Sequence, residues 1–423
     1  MLFKYGVEKQ VEKIAKILGL DVNYFIKNGF WIFIRYIIIG LTGLAITISF
    51  TRFGTKQLLG QYQFILNFLS LLSIFSLPGL NTVALRDVSL GKDSVVKKIV
   101  RISFIGSLFA LPIIFSYGLY QIYSRDVLIG TILILSGFLF PFFYALNTWY
   151  TFFEGKKLFK DASIRIIILN IAVALSVILA IYLKMQLFWI IFAFLFANIL
   201  ISGLFYFEVL KKIKEVSDGV DMKYGISCTF QKLTYSFSDS IPVLLISFVF
   251  GFELLAVYQV AYFSIALISG LIAALSTMYM PLLFKYKKLN YVKIIWQNLL
   301  LGLVFFVGFI VFIRIFFFTL YGNNYHESYI LVKEFSFVII LMPLKSFLFN
   351  FFTAKNRNNF LIISNLMANL AALFIFYITR KSGFFVSIPL YFYLFSALVV
   401  VPLLVNYFLI ASRKTDSILS EIN

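Results

Sequence analysis

The chain has 423 residues, 61% of them hydrophobic, 19% aromatic and only 13% charged, with a formal net charge of +19 at pH 7. A mean hydropathy of +0.96 is more apolar than a soluble core can hide, so the composition reads as an integral membrane protein and excludes the nucleic-acid partner that such a charge would suggest for a soluble chain. A single cysteine, Cys228, and a single histidine, His326, exclude an internal disulfide framework and a thiolate metal cage.

Residues 1–29 are too polar for the apolar stretch of a secretory signal. They predict an amphipathic helix on the inner leaflet, with Val7, Val11, Ile14 and Leu18 at helical spacing and Lys9, Lys13 and Lys16 elsewhere. About twelve apolar runs follow, each near the roughly 20 residues needed to cross a bilayer as a helix. They fall near 30–50, 62–80, 102–123, 127–150, 164–183, 187–207, 232–252, 257–281, 297–319, 334–353, 360–379 and 386–410.

Four of these spans carry charges away from their ends. In span one, FWIFIRYIIIGLTGLAITISF, Arg35 stands where a guanidinium costs on the order of 3 kcal/mol or more at a helix centre. Thr42 and Ser49 follow it at seven-residue spacing on one face, and Gly40 and Gly43 permit close approach. Arg35 is about five residues, roughly 8 Å, from the cytoplasmic end, so it either faces a cavity or snorkels to the interface. Span seven holds Asp239 in the polar patch Thr234–Ser240. This carboxylate either pairs with a cation or carries a coupling ion, or else starts the helix near the interface. Arg314 lies in the outer third of span nine, at the cavity mouth or the headgroups. Lys345 falls near the midpoint of span ten, too deep to snorkel easily, which predicts a water-filled cavity around it. Asn365 and Asn369, one turn apart in span eleven, predict interhelical hydrogen bonds. All 8 prolines lie within or at the ends of spans, and Pro78-Gly79, Pro281 and Pro343 are candidate bending points.

A repeat divides the chain. Leu58-Leu59-Gly60-Gln61-Tyr62-Gln63 after span one matches Leu254-Leu255-Ala256-Val257-Tyr258-Gln259 after span seven. Phe152-Phe153-Glu154-Gly155 after span four matches Phe351-Phe352-Thr353-Ala354 after span ten. Six spans per half make the repeats parallel, related by a pseudo-two-fold axis along the membrane normal, with a substrate cavity expected where the halves meet. The predicted organisation is an N-terminal segment (1–29), a first six-helix half (30–207), a cytoplasmic linker (208–231), a second half (232–410) and a tail (411–423). Roughly four times as many Lys and Arg fall in the tails and links on one side as on the other, which places both termini in the cytoplasm. Anionic lipids are a further expected partner of that basic face. No nucleotide loop of the P-loop type, HExxH pair or outer carboxylate pair is present, and no outer link is long enough for a catalytic platform. The residues point to no cofactor and no metal.

Several motifs carry a family resemblance. Arg52-Phe53-Gly54 with Gly60-Gln61-Tyr62, Leu77-Pro78-Gly79-Leu80-Asn81-Thr82 with Arg86, and the later Phe153-Glu154-Gly155 and Tyr258 segments resemble the polysaccharide-biosynthesis flippases. These are the Wzx-type O-antigen transporters of the multidrug/oligosaccharidyl-lipid/polysaccharide (MOP) superfamily. The resemblance implies an all-α, MATE-like transporter in the bacterial inner membrane. It would move an undecaprenyl-diphosphate-linked oligosaccharide to the periplasmic leaflet by alternating access, beside a polysaccharide polymerase and a chain-length regulator. On that reading Lys345 and Arg35 attract the diphosphate or an acidic sugar, Arg52 and Arg86 flank the cavity mouths, and Arg314 belongs to the same cationic cavity. The competing expectations are a MATE-like drug or cation antiporter, which should line its cavity with carboxylates, and a membrane polymerase, which should carry a large outer loop.

Overall fold

A computed structural model of the chain describes residues 22–124, 126–213, 219–285, 291–354 and 357–420. The amphipathic segment predicted around Val7–Leu18 lies outside the described residues, as do 214–218 of the linker and 421–423 of the tail.

Every regular element among the described residues is helical. Lipid supplies no hydrogen-bond partners, so a spanning backbone must satisfy its own N–H and C=O groups. The first half comprises α1 (Val22–Phe53), α2 (Lys56–Leu72), α3 (Leu80–Ser89), α4 (Val95–Leu108), α5 (Leu111–Ser124), α6 (Val127–Leu146), α7 (Tyr150–Gly155), α8 (Phe159–Tyr182) and α9 (Leu187–Lys212). The second comprises α10 (Met222–Val249), α11 (Phe252–Lys285), α12 (Tyr291–Tyr321), α13 (His326–Ser336), α14 (Met342–Ala354), α15 (Asn358–Thr379) and α16 (Phe384–Ser420). Short 3-10 turns extend α2 to Ser76 and join α6 to α7 and α13 to α14, so that these broken helices cross as single units.

Eleven of these units are long and apolar enough to cross a membrane. The chain is thus a multi-pass membrane protein. The remaining long helix, α10, has 28 residues, roughly 42 Å of rise, but is diluted by Lys223, Lys232 and Asp239. Counting it gives six spans per half. It begins at Met222, ten residues before the predicted span seven. Asp239 therefore stands more than four turns inside the helix, and its reading as a helix-start residue is corrected.

The two halves are built alike. Phe152 and Phe153 are buried in a first-half core with Trp149 and Val209, while the matching Phe351 and Phe352 are buried in a second-half core with Leu403 and Tyr407. Across the seam, α1 packs on α11, α2 packs on α10, and α2 meets α11 at the centre. Small residues set the closeness of this seam. A Cβ on Gly60 would stand 1.8 Å from the carbonyl oxygen of Phe252, and one on Gly79 would stand 2.2 Å from the backbone nitrogen of Thr229. Gly40 meets the Leu267 side chain more gently, at 3.1 Å, and nothing approaches Gly43 within 4 Å. The face where α1 begins and α16 ends is here termed the tail face, and the opposite one the far face.

Candidate functional site

A cavity of about 400 Å³ lies within the second half, walled by α10, α11, the turn into α14, and α16. This cavity is distinct from the one expected where the halves meet. The glycine contacts of Gly60 and Gly79 bring the halves into backbone contact along part of the seam, while α10, α11, α14 and α16 enclose a space among themselves. Its α11 wall runs from Tyr258 to Ile272, roughly 20 Å of helix, from the far-face half of the membrane toward the tail face. Aromatic rings close the far end: Phe335 stacks on Phe392 at 4.7 Å and meets Tyr258 at 6.0 Å.

Two charged side chains line this cavity, Asp239 from α10 and Lys345 from α14. Each stands within three residues of a proline. Pro242 lacks the N–H that would bond the Ser238 carbonyl, so α10 exposes a backbone acceptor beside Asp239. Pro343 stands in the first turn of α14, where a missing N–H costs nothing, and it fixes the change from the 3-10 turn Phe337–Leu341 to the helix that carries Lys345. Asp239 is open to the cavity and accepts a hydrogen bond from the Tyr262 hydroxyl at 3.2 Å. The Lys345 ammonium lies 5.4 Å from the ring centroid of Phe395, and no carboxylate among the described residues forms an ion pair with it. The Tyr391 hydroxyl, in the same wall, is buried and has no hydrogen-bond partner among the described residues. Behind the cavity Asn369 donates to the Ser238 hydroxyl at 3.0 Å, the interhelical bond expected of the Asn365/Asn369 pair.

The other predicted cations are not gathered here. Arg35 is ion-paired to Glu154 at 2.7 Å, with side chains only 13% and 14% exposed. Both belong to the first half, so Arg35 is neither snorkelling nor a free anion receptor. The other polar groups of its stripe bond their own helix, Thr42 to the Ile39 carbonyl and Ser49 to that of Ala45. Arg314 is exposed on α12 among exposed Val311, Phe312, Ile315 and Phe316. That face is a lipid face, and an arginine roughly 10 Å from the helix end reaches the headgroups rather than the cavity. His326 is exposed beside Phe318, and no cluster able to hold a metal occurs among the described residues.

Arg52 and Arg86 lie at opposite faces, and each bridges the halves. At the far face Arg52 donates to the carbonyls of Phe318, Thr319 and Leu320 at the end of α12. Beside it Lys56 pairs with Glu327 at 2.8 Å. At the tail face Arg86 binds its neighbour Asp87 at 2.9 Å and reaches Asp221, the cap of α10, at 3.3 Å. Gly79 donates to the Thr229 hydroxyl at 3.0 Å, and Lys232 donates to the Pro78 carbonyl at 2.9 Å. The Tyr224 backbone N–H, and then Arg86, hold the Asp221 carboxyl below its ordinary value, while Asp87 chiefly raises Arg86.

Tyr262, Tyr391 and Glu154 were not singled out by sequence reasoning. Tyr262 stands one turn beyond the repeat residue Tyr258, and Glu154 lies inside a repeat motif. A lone glutamate at the tail-face end of span four, level with a lone arginine near that end of span one, was the signal for the pair.

The family model described as "Polysaccharide biosynthesis protein" matches residues 25–287. No curated protein sequence matches the chain. Among solved structures, the inward-facing conformation of a multidrug resistance MATE family transporter of the MOP superfamily is similar at 14% identity and a TM-score of 0.65, with 90% of this chain and 96% of that chain covered. The outward-facing conformation of such a transporter gives 15% identity and a TM-score of 0.63, covering 92% and 96%. A MOP superfamily transporter from Pyrococcus furiosus, described as having a binding pocket of reverse polarity that suggests a different function, gives 15% and 0.62 over 92% and 96%. At these identities the likeness is one of fold.

Proposed function

The chain belongs to the polysaccharide biosynthesis protein family, and from that premise we propose that it is a flippase for an undecaprenyl-diphosphate-linked oligosaccharide. The cargo passes from the cytoplasmic to the outer leaflet of the bacterial inner membrane. Positive charge concentrates at the tail face, which is therefore the cytoplasmic side. The cavity extends toward that face from its aromatic floor, as the receiving state of an exporter should.

The observation that carries this reading is Lys345, a mid-depth ammonium without an ion-pair partner among the described residues, in a cavity of tyrosine, phenylalanine and hydroxyl groups. A phosphate or acidic sugar leaving water needs a charge-assisted partner to replace its hydration. The aromatic walls offer flat apolar surface to sugar rings, while the polyprenyl tail stays in lipid. No covalent chemistry is required. The Arg52/Lys56 contacts at the outer mouth and the Arg86/Asp221 contacts at the inner mouth are proposed as the latches that alternate as the halves rock. A drug or cation antiporter should line its cavity with carboxylates, whereas the one carboxylate among the described residues here, Asp239, shares the space with a lysine that repels a cation.

Complementation of a flippase-deficient strain tests the proposal. At matched protein levels the wild-type chain and Lys345→Arg should restore surface polysaccharide, and Lys345→Ala should not. Full restoration by Lys345→Ala would remove the basis of the assignment.

A further inference from the structure

Asp239 and Lys345 share one cavity, yet they are not in contact. Opposite charges facing each other in a medium of low dielectric attract strongly, and long side chains normally close to an ion pair. Here each has a separate aromatic partner. The Tyr262 hydroxyl holds Asp239 from α11, and Lys345 lies over the Phe395 ring of α16. The result is one cavity with an anionic and a cationic pole on different walls, together with the unpaired, buried Tyr391 hydroxyl. A simple anion would be drawn to Lys345 and repelled by Asp239. A simple cation would meet the reverse. A head group that carries both charges satisfies both poles at once, and a sugar hydroxyl can satisfy Tyr391.

We propose that this cavity recognises a zwitterionic sugar, one bearing a free amino group for Asp239 and a phosphate or carboxylate for Lys345. This rests on the flippase reading and names the class of cargo within it. It also gives Asp239 a role in reading cargo, distinct from carrying a coupling ion. An ion-coupling carboxylate would act without regard to the amino group of the sugar, whereas a cargo-reading one must discriminate by it.

Calorimetric titration of the purified full chain in lipid nanodiscs with glucosamine 6-phosphate, glucose 6-phosphate and glucosamine is the test. Glucosamine 6-phosphate should bind about tenfold tighter than either of the others, since each lost charge pair leaves a buried partner unsatisfied. Asp239→Asn should bring glucosamine 6-phosphate down to the affinity of glucose 6-phosphate, and Lys345→Gln down to that of glucosamine. The wild-type comparison stands whether or not the variants fold. Equal binding of glucose 6-phosphate and glucosamine 6-phosphate would overturn the zwitterion inference while leaving an anionic cargo at Lys345. Binding of neither sugar phosphate would overturn both.

Discussion

A lysine ammonium at mid-membrane depth persists only where water, a counter-charge or an aromatic face replaces its hydration. Lys345 has the Phe395 face and the cavity, so its charge is available to a ligand. Arg35 shows the contrary case, since Glu154 has already claimed its charge. Arg35→Ala would leave a mostly buried carboxylate without its partner, and breaking such a pair costs about 3 kcal/mol. The expected outcome is a lower thermal midpoint in detergent for Arg35→Ala, partly recovered in Arg35→Ala/Glu154→Ala. A single variant as stable as wild type would show that the pair does not hold α1 to the rest of its half. Asp221 behaves differently because it is exposed. Its carboxyl is held below the ordinary value by the Tyr224 N–H and by Arg86. The stabilisation is present above the unfolded value and is lost only as pH falls through the depressed folded value. The Arg86–Asp221 contact should thus be intact from about pH 5 upward. The distance between spin labels on exposed positions of α3 and α10 that flank the contact, with Arg86 and Asp221 kept, should be flat from pH 5 to 8. A transition near pH 6 would contradict the assignment.

At the scale of elements, the seam between halves depends on glycine where backbones touch. A Cβ at Gly60 would penetrate the Phe252 carbonyl, and backbone cannot yield as a flexible side chain can. Gly60→Val should therefore separate α2 from the start of α11 and reduce folded, monodisperse protein several-fold in size-exclusion chromatography. Gly43→Ala, with open space around it, should leave the yield unchanged. The twelve spans themselves are legible in the sequence, because lipid demands long apolar helices and the composition offers nothing else. The start of α10 is not legible. Its first ten residues, from Met222 to Gln231, alternate polar and apolar side chains without forming an apolar run, and in the structure they pack against Gly79 and Leu80 of the first half. The repeat around Tyr62 and Tyr258 is legible as sequence, and both tyrosines are buried, each against aromatic rings of its own half.

For the molecule as a whole, the two faces carry different latches between the same two halves. In a Cys228→Ser background, a short bifunctional thiol reagent joining cysteines placed at Lys56 and Glu327 should hold the far face shut. The same reagent at Arg86 and Asp221 should hold the tail face shut. Either cross-link should abolish export, and a cleavable linker should restore it on reduction. Export that continues with either link in place would exclude rocking about this seam. Much of the candidate site escaped the sequence for a related reason. Hydropathy locates charges along a span but not around it, so Arg314 on a lipid face and Lys345 in a cavity read alike. Lys345 was distinguishable by depth alone. The location of the cavity inside the second half depends on how four helices far apart in sequence close around one space, and no local pattern records that.

The most direct measurement uses proteoliposomes containing the purified chain and an undecaprenyl-diphosphate-linked oligosaccharide, probed from outside with a membrane-impermeant glycosidase. In vesicles without protein, about half of the saccharide, the outer-leaflet share, should be cleaved, given the cost of moving a charged head through hydrocarbon. With the wild-type chain nearly all should be cleaved, and Lys345→Ala should return the vesicles to the protein-free level. A wild-type chain that leaves the inner-leaflet share protected, or a Lys345→Ala variant that exposes it as fast as wild type, would contradict the account.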